Sequence, residues 1–185
     1  MQTYYENFKN NNRARLQTRV LDPKGLLTGN GYGVEGVYSF AYVNSKLGVE
    51  IPAYIGQAGV IANAPSYVAS DVYERILQHL KRFLGGKYYT YWTGLEDNED
   101  WKIKIDLLCS EPNHSKRLQA ETEYIEKIKP FLQDTQNGTY DLYPTKYGYS
   151  RNDLCLHPWT RTDKGEDVGQ RRVAFLARLA EIMPA

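Results

Sequence analysis

Five residues, widely separated along the chain, carry side chains suited to proton transfer, anion binding and metal binding. Tyr38 and Tyr54 lie in two short runs of strand-forming residues, and Glu121 lies in a run with helical spacing. Arg75 and His79 are four residues apart, so they share one face of a helix. A carboxylate can hold a hard cation, an arginine can stabilise negative charge, and tyrosine or histidine can transfer protons. This combination suits chemistry at an anionic group.

The elements that must position these residues are predicted to follow a β-β-α-β-α order. Residues 36–43 and 53–56 are rich in strand formers and have turn residues between them, so they predict a hairpin that carries Tyr38 and Tyr54. Residues 101–108 begin with alternating apolar and polar side chains, which predicts a third strand. The expected fold class is α+β, with a small antiparallel sheet flanked by helices.

Two helices are predicted around the third strand. The first is capped by Asp71 and runs to about Leu84, before two glycines. Apolar residues at helical spacing form its predicted buried stripe: Val72, Ile76, Leu80 and Phe83. The second helix runs from Ser115 to about Lys129. Its predicted stripe consists of Leu118, Ile125, Ile128 and Leu132.

The remaining segments are predicted to be extensions of a single domain. Residues 1–33 are polar and carry five basic against two acidic side chains, although the net charge of the whole chain is only +1. They predict a flexible basic arm, with one short helix near residues 12–20, that could meet phosphate; a solvated terminus fits the same composition. Residues 34–137 are the predicted core, and residues 138–185 a C-terminal extension with a final helix near 167–182.

Composition limits the classes of protein that this chain can be. No basic stretch leads into an apolar run at the N-terminus, and no segment has the roughly 20 apolar residues of a membrane helix. We therefore predict a cytoplasmic protein without a membrane partner. Two cysteines give no disulfide framework. Four residues that could be assembled into a zinc site lack the close spacing of standard ligand pairs: Cys109, His114, Cys155 and His157.

Two triplets resemble the motif that names the GIY-YIG nuclease superfamily, Gly36-Val37-Tyr38 and Tyr54-Ile55-Gly56. Residues 74–79 resemble the helix that carries the arginine of that superfamily and, in some branches, a histidine one turn later. Residues 121–130 resemble its glutamate helix, with a proline nine residues after the glutamate. Order and spacing agree over residues 34–133, slightly more than half of the chain.

This resemblance implies a fold and an activity. The implied fold is a three-stranded antiparallel sheet flanked by helices, and the implied activity is hydrolysis of a DNA phosphodiester bond with one Mg²⁺ or Mn²⁺ per active site. Glu121 would hold the metal, and Arg75 would stabilise the charge that builds on the phosphate. Tyr38 is the expected general base and Tyr54 the positioning residue, although the reverse assignment is almost equally favoured. His79 would protonate the leaving group or orient a tyrosine.

Three further residues are predicted to contact DNA. Arg82 continues the helix face of Arg75, Gln57 stands where many relatives have lysine, and Gln133 stands where many have asparagine. Eighteen residues separate the second triplet from Arg75, an insertion that favours a sequence-specific restriction-type enzyme. A palindromic site would favour a homodimer. The alternatives are a repair, phage or mobile-element nuclease that cuts structured or single-stranded DNA, and a catalytically silent DNA-binding protein of the same fold.

Overall fold

The computed structural model describes residues 2–60, 71–84 and 100–128, together with residues 130 and 180. Its elements, in chain order, are α1 (Gln2–Asn11), α2 (Arg13–Arg19), β1 (Val20–Leu21), an irregular helical turn (Leu26–Asn30), β2 (Gly36–Asn44), β3 (Val49–Ala58), α3 (Val72–Leu84), β4 (Trp101–Ser110) and α4 (His114–Ile128). The predicted C-terminal extension, residues 138–185, lies outside the described residues except for residue 180.

The sheet confirms the α+β class but differs from the predicted three-stranded antiparallel arrangement. Its four strands have the order β1-β4-β2-β3 and are mixed. β2 is antiparallel to both β3 and β4, whereas β1 is parallel to β4 through Val20 and Leu21, which lie opposite Ile103 and Lys104. The extra strand forms because two apolar residues follow α2 directly and reach the free edge of β4.

The register of the hairpin brings three aromatic residues to one face of the sheet. Tyr38 lies opposite Gly56, and Phe40 lies opposite Tyr54. Residues directly opposite each other, and residues two apart on one strand, point to the same side. The pairing shifts by one residue after Phe40 on the β3 side, and between Val37 and Tyr38 on the β4 side. Tyr38, Phe40 and Tyr54 therefore share the face on which α3 packs.

Helix α3 forms as its sequence predicts. Val72, Ile76 and Leu80 are fully buried, whereas the side chain of Phe83 lies outside the described part of the chain. Asp71 precedes the helix, and one of its carboxylate oxygens accepts the backbone N–H of Glu74 at 2.8 Å. This cap satisfies a backbone donor that an uncapped helix would leave without a partner.

The N-terminal segment is part of the core, so the prediction of a flexible arm is wrong for the described residues. Two helices form rather than one, and four apolar side chains of this segment are buried: Leu16, Val20, Leu26 and Leu27. The Asp22 carboxylate accepts the backbone N–H groups of Leu26 and Leu27, each at 2.8 Å. The carboxylate of Glu6 accepts hydrogen bonds from Tyr32 and Tyr73, which links α1 to α3.

Helix α4 differs from its prediction in the face that it buries. Leu118 was predicted to lie in the buried stripe, but 41% of its surface is exposed. The neighbouring Arg117 has no exposed surface. Ile125 and Ile128 are partly buried and Leu132 lies outside the described residues, so the fully buried side chain of the described helix is the polar Arg117. In the part of the chain that the structure describes, no helix combines the length and apolar character required to cross a membrane.

Candidate active site

Strand β2 and helix α3 bring Tyr38 and His79 together. The Tyr38 hydroxyl lies 3.0 Å from Nε2 of His79, and both residues are buried. Either group can be the donor, depending on which imidazole nitrogen carries the proton. When Nε2 is unprotonated, the phenol donates to it, so the pair can move a proton between a tyrosine and a histidine.

The Tyr38–His79 pair belongs to a larger aromatic cluster. The ring centre of Tyr54, which is half-buried, lies 5.0 Å from that of His79 and 6.4 Å from that of Tyr38. Phe40 lies 5.5 Å from His79 and 6.3 Å from Tyr54. Both motif tyrosines thus lie against the same histidine, and Phe40 forms the apolar wall beside it.

The glycine of the second motif triplet is required by this packing. A side-chain carbon at Gly56 would lie 2.5 Å from the Tyr38 hydroxyl oxygen and 2.8 Å from the Tyr54 ring. Contacts this short do not occur between such atoms, so any other residue would displace one of the tyrosines. Gly56 therefore allows both phenols to approach the same position of the hairpin.

Arg75 on α3 and Glu121 on α4 interact electrostatically. Arg75 is half-buried and donates a hydrogen bond to the side chain of Gln78, one turn further along the helix. Its positive charge acts on the Glu121 carboxylate, which also accepts a hydrogen bond from the backbone N–H of Gln57. Because Arg75 and His79 are one turn apart on α3, Arg75 lies on the same side of that helix as the tyrosine–histidine pair.

Burial is the dominant influence on Glu121. It raises the pKa of the carboxyl from the ordinary value of 4.5 to about 7, although the charges of Arg75 and Arg117 and the Gln57 N–H lower it. The ionised form is therefore incompletely stabilised by the protein itself. A carboxyl with a shifted pKa that faces an arginine is typical of functional sites, although structural networks can produce the same shift.

A buried arginine completes the polar surroundings of Glu121, and sequence reasoning missed it. Arg117 Nε donates to the side-chain oxygen of Gln57 at 2.8 Å, and Nη1 donates to the Glu35 carboxylate at 2.8 Å. Neither Arg117 nor Glu35 belongs to a motif. The four-residue spacing from Arg117 to Glu121, which puts both on one helix face, is the signal that could have found it.

The structure places the other predicted residues as follows. Gln57 lies on β3, where its side-chain oxygen is bound to Arg117. Arg82 lies in the last turn of α3, and Gln133 lies outside the described residues. Among the described residues no group of three or more His, Cys, Asp or Glu side chains could hold a metal ion, so Cys109 and His114 find no zinc partners there.

Comparisons of the chain with protein-family models, with curated proteins and with solved structures found no match.

Proposed function

We propose that this chain is a metal-dependent DNA endonuclease of the GIY-YIG type. One observation carries the proposal, namely that three separate elements form two pairs, Tyr38 with His79 and Arg75 with Glu121. Residues far apart in the sequence meet in the combination that phosphodiester hydrolysis requires: groups that move protons, a fixed cation and an anionic ligand. Within the mixed sheet, β2, β3 and β4 would correspond to the three-stranded antiparallel unit of that superfamily.

The proposed roles follow from where the side chains lie. Arg75 would stabilise the phosphate as negative charge builds on it, because a guanidinium is always charged and donates in a fork. Tyr38 would pass its proton to His79, with which it already shares a hydrogen bond, and would then accept a proton from the attacking water. Tyr54 would position the water or the phosphate, since it is partly exposed and lies against the same histidine. The exchange of roles between the two tyrosines remains the alternative.

Glu121 fits the requirement for one divalent cation, Mg²⁺ or Mn²⁺. Such ions are commonly held by one or two carboxylates together with water and substrate phosphate, so a cluster of three protein ligands is not needed. Burial raises the pKa of Glu121 to about 7, and a bound cation would favour its ionised form. When bound, the ion would polarise a phosphate oxygen and lower the pKa of a water molecule.

The remaining parts of the proposal concern biological setting. We propose a cytoplasmic, sequence-specific restriction-type enzyme that acts as a homodimer on a palindromic site. A single active site cuts one strand, so cleavage of both strands at a two-fold site is most directly achieved by two copies. Arg82, Gln57 and Gln133 remain the predicted DNA contacts.

Cleavage of supercoiled plasmid with and without Mg²⁺ tests the proposal. Discrete fragments would support a sequence-specific enzyme, and a smear would support a nonspecific one.

Arg75→Ala should lower the single-turnover rate at least ~100-fold, as loss of one charge-stabilising donor does. Glu121→Gln should abolish cleavage while DNA binding survives, and Glu126→Gln, at an exposed position of the same helix, is the matched control. DNA binding without any cleavage by the wild type would instead support a silent binding protein.

A further inference from the structure

The guanidinium of Arg117 has six hydrogen-bond partners among the described residues. It has no exposed surface, and each of its three nitrogens donates a hydrogen bond. Besides the side chains of Gln57 and Glu35, it contacts three backbone oxygens and an imidazole: Glu111 O at 3.0 Å, Pro112 O at 3.1 Å, Val60 O at 3.3 Å and His114 Nδ1 at 3.5 Å. A buried charge is tolerated only when it is paired and hydrogen-bonded to this extent.

These partners come from every strand end that surrounds the site. Glu35 immediately precedes β2, which carries Tyr38, and its carboxylate also accepts the backbone N–H of Val60 at 3.1 Å. Gln57 lies at the end of β3, Val60 lies two residues after that strand, and Glu111 follows β4. Arg117 itself lies on α4, one turn before Glu121. One side chain therefore connects the three strands that frame the site to the helix that carries the carboxylate.

Gln57 is held from both sides by the same helix. Its side-chain oxygen accepts from Arg117, and its backbone N–H donates to Glu121. β3 is an edge strand of the sheet, so backbone donors on its outer side need an acceptor outside the sheet. A rotation or shift of α4 would break both contacts. The position of the Glu121 carboxylate therefore depends on the hydrogen bonds that hold Arg117 in place.

The space for this arginine is also specific. A side-chain carbon at Gly59 would overlap the Arg117 guanidinium, so the chain after β3 passes directly over it. A lysine has the charge but only one nitrogen, and it cannot donate to six acceptors that surround a planar group. The arrangement thus requires an arginine at position 117 rather than a basic residue of any kind.

We propose that Arg117 is a positioning residue that sets the Glu121 carboxylate against the Gln57 backbone and the Arg75 face of the site. Its role in cleavage rests on the proposed nuclease function, whereas its effect on Glu121 and Gln57 does not. Replacing Arg117 should therefore change the environment of Gln57 even in the absence of DNA, and should weaken the site for a divalent cation.

Hydrogen exchange followed by NMR tests the local part of the proposal. The Gln57 amide should lose at least about tenfold of its protection in Arg117→Met, whereas the Val43 amide, at the other end of the hairpin, should change less than about twofold. Arg117→Lys should lie between the wild type and Arg117→Met. Lys116→Met, at the exposed neighbouring position, is the matched control and should leave both amides unchanged. If the Arg117 variants do not fold, Gln57→Met, which removes one acceptor and keeps Arg117, should produce the same loss at position 57.

Cleavage measured against Mg²⁺ concentration tests the second part. Arg117→Lys should raise the concentration for half-maximal single-turnover rate at least about tenfold, while affinity for DNA changes less than about threefold. Equal loss of protection at all amides, or unchanged protection at Gln57, would overturn the proposal and leave Arg117 a residue of stability alone. An unchanged Mg²⁺ dependence would overturn its role in the site. Failure of the wild type to cut any DNA would count against the nuclease function only, because the exchange experiment still decides what Arg117 does.

Discussion

The two motif tyrosines differ in exposure although they contact the same histidine. Tyr38 is fully buried and hydrogen-bonded to His79, and Tyr54 is half-buried. A general base must lose a proton, whereas a positioning phenol need only donate a hydrogen bond. The bond to His79 gives Tyr38 an acceptor for that proton. The greater exposure of Tyr54 gives it easier access to water, so the two phenols offer different environments for the same proton transfer.

The dependence of rate on pH distinguishes the two tyrosines. Tyr38→Phe and Tyr54→Phe should both slow cleavage, but only the variant that lacks the base should lose the pH dependence of the chemical step. We expect this loss in Tyr38→Phe. The measurement is the single-turnover rate between about pH 6 and 9 at saturating Mg²⁺. A retained slope in Tyr38→Phe with a flattened slope in Tyr54→Phe would reverse the assignment, and unchanged slopes in both would make His79 the candidate base.

Glu121 should lower the stability of the metal-free protein at neutral and higher pH. The folded state binds the carboxyl proton more tightly than the unfolded chain, because burial raises the pKa from 4.5 to about 7. Raising the pH through this interval therefore lowers the free energy of unfolding, by on the order of 3 kcal/mol for a shift of this size.

This effect can be measured with one neutral variant. In Glu121→Gln the free energy of unfolding should fall less between pH 5 and 8 than in the wild type, so the variant should be the more stable protein at pH 8. Urea unfolding in the presence of a chelator measures this, with Glu126→Gln as control. Added Mg²⁺ should stabilise the wild type at pH 8 and leave Glu121→Gln unchanged. If the wild type is as stable at pH 8 as at pH 5, burial does not raise the pKa of the Glu121 carboxyl.

Residue types and spacing identified the candidate site residues. They did not predict which side chains would be buried. The four-residue spacing of Arg75 and His79 correctly placed both on one face of α3, with His79 turned towards Tyr38. In the sequence, Arg117 follows Lys116 in a predicted helix, so it looks like an ordinary solvent-exposed charge. Its burial depends on Glu35, Gln57 and the chain at Gly59, which reach it only through tertiary structure.

At the scale of elements, helix α3 is the frame of the site, because it carries both Arg75 and His79. Asp71 fixes its beginning in two ways, since one oxygen accepts from Glu74 N and the other accepts from Gly33 N at 3.0 Å. The cap therefore stabilises the helix and also ties it to the loop that leads into β2. The sequence predicted Asp71 as the cap of this helix, but the second contact joins positions 38 residues apart.

Asp71→Ala should lower the free energy of unfolding by about 2 kcal/mol, since it removes an N-cap and leaves a second backbone donor without its acceptor. Asp71→Asn should retain only about half of this stability, because its one side-chain oxygen can still cap the helix while its NH2 group cannot accept the Gly33 N–H. Urea unfolding at pH 7 measures both. A loss in Asp71→Ala below about 0.5 kcal/mol would mean that water replaces the carboxylate at both donors.

Strand and helix boundaries were predicted best where the local pattern is strong. β2 and β4 were found within two residues of their ends, because alternation and strand formers coincide there. β3 begins four residues earlier than predicted, at Val49, because the pairing with β2 continues through Pro52 at the edge of the sheet. α4 has the predicted position but buries Arg117 in place of Leu118, and helical spacing alone cannot foresee a polar interface.

At the scale of the whole molecule, the N-terminal segment contributes to the same core as the hairpin. Its polar composition predicted an arm, because four apolar residues are diluted among many charged and amide side chains. Those four residues are nevertheless buried in the core, Phe8 packs against it, and Val20 and Leu21 extend the sheet. The basic side chains of this segment are therefore carried on a folded surface rather than on a free chain.

The substitution Leu16→Ala distinguishes a packed N-terminal segment from a flexible arm. Leu16 is buried in α2 next to the exposed Gln17. Leu16→Ala should lower the free energy of unfolding by about 2–5 kcal/mol, as truncation of a buried leucine does, and Gln17→Ala should change it by less than about 0.5 kcal/mol. Both are measured from urea unfolding with the slope held in common. A flexible arm would make the two variants alike, because an exposed leucine has no packing to lose. If the two variants are equally stable, α2 does not pack on the core, and its arginines belong to a flexible basic arm.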